Sequence, residues 1–368
     1  MLGCSAPGGK PAGRRSQTSG RRSQTSGRRF SSISRVFPSL LRLMLALLVF
    51  VPLLGGCGTD KQATADTTAA STITTAATTE TTEASAETTG TSEATFPVTV
   101  TDDAGNTVTI KAKPVRIVST APANTETLFA LGAGDRVVGV NSLDNYPPEV
   151  ANLPKVGDYQ ANTEAIVALS PDLVVGYSGN EEALAPLQAQ GVPVLIMNPA
   201  NLEGIYTDIN AIGSAVGAPA KATELVEQIK ADIARISQAA QATGTKPKVF
   251  YALDNTLWTC GPGSFVDELL SLVSVVNVAA EGPSGSSAQP YYQFTPEQLV
   301  AADPDIVLLP GSVYKSADEF TADPRFAGLK AVKEKRVLVI DDVLVTRPGP
   351  RIAEGLRILA KAVHPEAF

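Results

Sequence analysis

From residue 98 onward, short apolar runs recur along the chain, and the spacing of apolar and polar positions predicts what each becomes. Val98–Thr101 and Thr107–Lys111 alternate apolar and polar around Asp102-Asp103-Ala104-Gly105-Asn106, the pattern of a β-hairpin. After it, near-continuous apolar runs predict strands at Val115–Ser119, Val137–Val140, Leu173–Tyr177, Val194–Met197, Val249–Leu253, Ile306–Leu309 and Val337–Ile340. Helical periodicity predicts helices at Thr125–Leu131, Glu181–Gln190, Leu202–Val216, Phe265–Leu272 and Ile352–Val363. Apolar strands alternating with helices predict an α/β protein whose sheets are mainly parallel and covered on both faces.

One helical segment is longer than a crossover needs. Pro219–Ala242 carries Leu225, Ile229, Ile233 and Ile236 at helical spacing, opens on proline and is followed by Gly244. At 1.5 Å per residue it spans about 36 Å, and it is read as a spine between two lobes. An internal repeat supports two lobes. Residues 162–175 (NTEAIVALSPDLVV) align without a gap on 295–308 (TPEQLVAADPDIVL), so that Glu164 matches Glu297, Pro171 matches Pro304 and Asp172 matches Asp305. Each copy reads as an N-capped helix, a Pro-Asp turn and a buried strand. Two copies on opposite sides of the spine imply pseudo-twofold lobes with a cleft between them.

The first 57 residues have a different composition. They hold nine basic residues and no acidic one, then an uncharged, mostly apolar run over Leu43–Leu54 and Gly55-Gly56-Cys57. A basic segment, about a dozen apolar residues and small residues before a cut site make an export signal; the run is too short to cross a membrane, which takes about 20 apolar residues. Arg28-Arg29 leaves twin-arginine export open. The tract from Gly58 to Thr95 has 15 Thr, six acidic residues and one large aliphatic, Ile73. It holds too little apolar surface to offset chain entropy and is expected to be a disordered tether, spanning roughly 30–40 Å. The expected divisions are thus a signal peptide at 1–56, Cys57 and linker at 57–95, an N-terminal lobe at 96–217, the spine at 218–244 and a C-terminal lobe at 245–368.

Composition narrows the chemistry. Taking nine leader charges from a net −7 leaves −16 on the mature chain, which argues against a nucleic-acid partner. With Cys4 in the leader and Cys57 at the cut site, Cys260 has no disulfide partner. A catalytic thiol needs a base, usually His, and the only histidine is His364, read as part of a solvated helix terminus. Gly176-Tyr-Ser-Gly179 is one residue short of a nucleophile elbow, and Gly132-Ala-Gly134 follows a helix and lacks the third glycine of a dinucleotide loop. No catalytic residue is assigned, and the expectation is a binding protein rather than an enzyme.

The chain resembles the substrate-binding proteins of ABC importers for iron-siderophores, cobalamin and haem. The likeness rests on Arg116-Ile-Val-Ser119, the segment Thr125–Val140, Tyr146-Pro-Pro148, both repeat copies, and Arg347-Pro-Gly-Pro-Arg351 with its terminal helix. The resemblance implies two Rossmann-like lobes joined by one long helix, moving little on binding. It gives Leu54-Gly-Gly-Cys57 the form of a lipoprotein cleavage box, with a lipid on Cys57 holding the protein at the outer face of the membrane. It also implies a permease dimer as partner, docked through Glu164 on one lobe and Glu297 on the other.

Ligands of open α/β sheets sit beyond the carboxyl ends of the strands, which points to the loops after the strands. Candidate ligand-binding residues there are Thr120, Asn124, Tyr146, Tyr177, Trp258, Tyr291, Tyr292 and Arg347. Loop aromatics suit a large, flat or partly apolar ligand. A bare zinc or manganese ion would need several His and carboxylates together. The expected cargo is a metal chelate, an iron-siderophore or cobalamin ahead of haem held by a tyrosine, with no metal ligands and no resident cofactor. An adhesive or structural surface lipoprotein is the alternative from another class.

Overall fold

The computed structural model describes residues 95–280 and 290–368. The leader, Cys57 and the linker up to residue 94 lie outside the described residues.

The chain opens with the hairpin β1 (Val98–Thr101) and β2 (Thr107–Ile110), paired antiparallel. The N-lobe follows: β3 (Ile117–Ser119), α1 (Pro122–Ala130), β4 (Val137–Gly139), α2 (Thr163–Ala168), β5 (Leu173–Tyr177), α3 (Glu181–Ala189), β6 (Val194–Met197) and α4 (Leu202–Ala215). The spine is α5, Pro219–Ala242, with the predicted bounds. Then come β7 (Lys248–Tyr251), β8 (Trp258–Cys260), α6 (Phe265–Leu272), β9 (Val276–Asn277), β10 (Tyr291–Gln293), α7 (Pro296–Ala302), β11 (Ile306–Pro310), α8 (Asp318–Thr321), α9 (Lys330–Lys333), β12 (Val337–Ile340), α10 (Asp342–Thr346) and α11 (Ile352–Val363).

Two four-stranded parallel sheets result, ordered β4-β3-β5-β6 before the spine and β9-β7-β11-β12 after it. The orders superpose term by term, so the sequence repeat extends to whole-sheet topology. Strand alternation then divides each sheet's side chains between two cores. Leu173 and Val175 of β5, like Ile306 and Leu308 of β11, join a shared core that also holds Val226, Ile229 and Ile233 of the spine. Their neighbours face outward, Val174 into an N-lobe cluster and Val307 with Leu309 into a C-lobe cluster. Gly213 of α4 lets the spine come close, because a Cβ there would overlap the Ala222 side chain.

Each repeat copy is built the same way. Asn162 and Thr295 cap α2 and α7 by accepting from the amides of Ala165 and Gln298. Both helices end at a left-handed residue, Ser170 and Asp303, 133 positions apart. The aspartate of each Pro-Asp turn then braces the start of its lobe's first parallel strand, β3 or β7. Asp172 accepts from the amides of Val115 and Arg116 at 2.8 Å, and Asp305 accepts from Lys248 at 2.7 Å. The exposed edge β6 is covered by the hairpin turn, where Asp102 accepts from Ile196 and the Asp103 amide donates to the Ile196 carbonyl, both at 3.0 Å.

Several expectations need correction. His364 is not solvated. It is fully buried, Nε2 donates to the Val273 carbonyl at 2.9 Å, and Nδ1 lies 3.3–3.4 Å from the Thr245 and Thr243 hydroxyls. A carbonyl can only accept, so the proton sits on Nε2, and the imidazole ties α11 to the end of the spine and to α6. The C-terminal segment also makes contacts beyond its own lobe, as Arg347 and Arg351 reach back to Glu126 of α1. α1 begins at Pro122, earlier than predicted, because proline at the first helical position costs no hydrogen bond.

Candidate ligand-binding cleft

The loops that follow β3, β4 and β5, joined by the loop before α2, form one wall of a cleft; α10 and the residues after it form the other. The cleft encloses about 370 Å³ and is bordered by Thr120, Asn141, Tyr159 and Tyr177 of the N-lobe and by Thr346 and Arg347 of the C-terminal segment. A larger depression of about 580 Å³ is bordered by C-lobe residues alone, among them Gln293, Tyr314 and Arg325. The smaller cleft is the stronger candidate, since it lies between the lobes at the carboxyl ends of parallel strands.

Buried polar groups hold the N-lobe wall in place. Asn124 donates to the Gly176 carbonyl at 2.8 Å, Asn141 to the Thr120 carbonyl at 2.7 Å, and Asn180 accepts from Ala161 at 2.6 Å. The Thr125 hydroxyl donates to Asp144 at 2.6 Å and lies 2.7 Å from Ser119 Oγ. Burial pushes the Asp144 carboxyl up to about 6, against the Thr125 hydrogen bond and the positive charges of Lys155 and Arg347. Thr120 Oγ1 and Asp144 Oδ1 are buried without a partner among the described residues; such an atom costs about 1–3 kcal/mol if left unsatisfied.

The lobes are clamped beside the cleft by one buried carboxylate. Glu126, its side chain 1 % exposed, accepts from Arg347 at 2.7 Å and from Arg351 at 2.6 and 2.9 Å. Arg347 also donates to Asn145, and the Arg351 guanidinium stacks 3.9 Å over the Tyr146 ring. Gly349 makes the approach possible, since a Cβ would press on Ala123 of α1 at 3.3 Å. Away from the cleft, Glu268 of α6 accepts from the Leu202 amide of α4 at 3.0 Å.

The eight candidate residues separate on this geometry. Thr120, Tyr177 and Arg347 border the cleft. Asn124 is buried and committed to the Gly176 carbonyl; Tyr146 stacks on Arg351 outside the cleft. Trp258, Tyr291 and Tyr292 are not free loop aromatics, because β8 and β10 pair into an antiparallel ladder. Its alternation leaves Trp258 and Tyr291 exposed and turns Tyr292 into the C-lobe core, where its hydroxyl donates to the Ala279 carbonyl at 2.5 Å. The Tyr177 phenol is raised above its usual range by burial, then by Tyr291 and Asp208. Asn141, Asp158 and Tyr159 also border the cleft without having been singled out. For Tyr159, 82 % exposed, the available signal was an aromatic in the polar loop Gly157-Asp-Tyr-Gln160.

Burial pushes the Cys260 thiol up to about 12, the opposite of what a thiolate nucleophile needs. Glu164 and Glu297 are each the second residue of their helices and both are exposed. No helix among the described residues is long and apolar enough to cross a membrane.

The family model described as periplasmic binding protein matches residues 117–344. The chain is 37 % identical over 282 residues to the uncharacterized ABC transporter substrate-binding lipoprotein YvrC of Bacillus subtilis, covering 74 % of this chain and 87 % of that one. It is 28 % identical to the cobalamin-binding protein of Halobacterium salinarum, covering 73 % and 74 %. Among solved structures, the periplasmic heme-binding protein RhuT from Roseiflexus sp. RS-1 superposes with a TM-score of 0.62 at 31 % identity, covering 69 % of this chain and 99 % of that one. With its paired sheets, its spine and a cleft between the lobes, the chain belongs to the periplasmic binding protein family, among the substrate-binding proteins of ABC transporters.

Proposed function

We propose that this protein is the extracytoplasmic solute-binding component of an ABC importer and that it captures a metal chelate, an iron-siderophore or cobalamin, without catalysing a reaction on it. The observation that carries the reading is the cleft between the lobes, bordered by Tyr159 and Tyr177 on one side and Arg347 on the other. Aromatic faces suit the flat, partly apolar surface of a chelate, and a guanidinium suits its oxygen-rich edge. Cobalamin-binding and haem-binding relatives lend support from outside the chain. Delivery follows from docking of Glu164 and Glu297 on the permease, and retention outside the membrane from a lipid on Cys57.

Haem is the second reading, favoured by the exposed Tyr159 beside the cleft, a phenol of the kind that ligates haem iron. Tyr177 suits that role less, since its raised phenol yields the phenolate less readily.

Trp258 is the only tryptophan, so its fluorescence reports on a single place in the molecule. Purified protein is titrated with cyanocobalamin, ferric siderophores and haem, with calorimetry in parallel because Trp258 does not itself border the cleft. Saturable binding of one compound at micromolar concentration or tighter identifies the cargo. No binding of any of them by either method would sink the chelate reading and leave the family membership untouched.

A further inference from the structure

The two repeat copies hold the same residue at six of their fourteen aligned positions. Three of the six have a clear structural duty. Pro171 and Pro304 are buried, Asp172 and Asp305 brace strands, and Val174 and Val307 pack into the outward-facing clusters. The other three do not. Glu164, Val167 and Ala168 of α2, like Glu297, Val300 and Ala301 of α7, are exposed. The remaining positions exposed in both copies differ, Asn162 against Thr295 and Ser170 against Asp303. Residues three and four apart share one face of a helix, so each helix shows solvent the same face of carboxylate, valine and alanine.

A single exposed valine needs no explanation. This pair is different. Val167 and Val300 are 40 % and 44 % exposed at equivalent places, and neither belongs to a core cluster. A β-branched residue is also a weaker helix former than alanine, so folding gives little reason for valine in both copies. Neither glutamate has a hydrogen bond or ion pair among the described residues; Arg325, whose charge senses Glu297, is bonded to Asp323. Two copies of one face on a single chain fit a partner that presents one surface twice, as a dimer with a twofold axis does. On the reading that Glu164 and Glu297 dock on the permease dimer, we propose that Val167 with Ala168, and Val300 with Ala301, form the apolar centre of each contact, seated in an apolar socket beside a cation on each half of the permease. The carboxylate is then the polar rim that orients the approach, and the valine supplies contact that salt does not screen.

Val167→Ala and Val300→Ala, singly and together, test it in the full chain. Alanine shortens the side chain and favours the helix, so the melting temperature should stay level or rise. Docking is read as binding of the labelled protein to liposomes carrying the reconstituted permease, with empty liposomes as the blank. The double variant is expected to bind roughly tenfold more weakly, at low and at high salt alike, and each single variant roughly threefold. Full binding by the double valine variant, with binding lost in Glu164→Ala/Glu297→Ala, overturns the apolar contact and leaves carboxylate docking standing. A melting temperature lowered by several degrees overturns it too, since the valines would then belong to the fold. A loss confined to one copy breaks the twofold match and overturns it likewise. If sedimentation shows the unsubstituted protein as a dimer that the substitutions dissociate, the face pairs with a second copy and the proposal fails. No binding of the unsubstituted protein to the permease liposomes is a different result, in which docking through the glutamates fails first and the apolar contact with it.

Discussion

Glu126 is almost fully buried and faces two guanidinium groups, so its contribution shows when it is removed and both are left unpaired. Breaking a buried ion pair from one side costs about 3–5 kcal/mol. Urea unfolding of Glu126→Ala is expected to show a loss of that size, and a loss under about 1 kcal/mol would mean that solvent already screens the pair. Asp208 acts through pH. Burial pushes its carboxyl up to about 8, with the neighbouring Asp103 adding to the effect. The native state then holds the proton more tightly than the unfolded chain does. Stability is therefore fullest below the unfolded value of 3.8 and is lost as pH rises toward 8. Stability measured from pH 5 to pH 9 should fall, and Asp208→Asn should flatten the fall; a rise across that window would refute the assignment. Neither partnership was legible in the sequence. Glu126 and Arg351 are 225 positions apart, and nothing local distinguishes Asp208 from any other helical aspartate.

Elements were legible where local pattern and tertiary demand agreed. The spine, β5, β6, β12, α6 and α11 take their predicted bounds, since each is a long periodic run or an apolar run closed by turn residues. The β8–β10 ladder was missed because its three-residue strands, Trp258–Cys260 and Tyr291–Gln293, lack the continuous aliphatic run that marks β3 and β4, and Tyr292 was misread with it. The Pro-Asp turns were seen as turns, and their bracing role came only with the fold. Asp172→Ala would leave the amides of Val115 and Arg116 without their partner, and Asp305→Ala that of Lys248. Because these bonds are exposed and water can reach the freed amides, each is expected to cost about 0.5–1.5 kcal/mol by thermal unfolding. A cost at one site and none at the other would break the equivalence of the two copies.

At the scale of the whole molecule, the sheets share one core with the spine, and Glu126 and Glu268 each bridge the lobes. Such a body suits delivery by docking rather than by wide closure. Glu164 and Glu297 stand exposed at equivalent places on the two copies. Replacing both with Ala is expected to leave cargo affinity within about twofold, since neither borders the cleft, surface changes rarely matter beyond about 0.5 kcal/mol, and that difference is about a factor of two. Uptake into cells, or cargo-stimulated ATPase of the reconstituted importer, should fall to background. Full uptake by the double variant would remove these residues from docking.

The sequence by itself determined the lobes, the spine and the pseudo-symmetry. Apolar periodicity and a gapless repeat are local properties, and burial of strands on both faces leaves little choice of architecture. The same local signals marked Thr120, Tyr177 and Arg347 as residues at strand ends. What they could not supply was the direction in which a side chain leaves an irregular loop or a three-residue strand. That direction sent Tyr292 and His364 inward, set Tyr146 against Arg351, and paired Asp144 with Thr125. Only the tertiary structure decided these, because each depends on contacts between segments far apart in the chain, and a buried polar group takes its character from its neighbours in space.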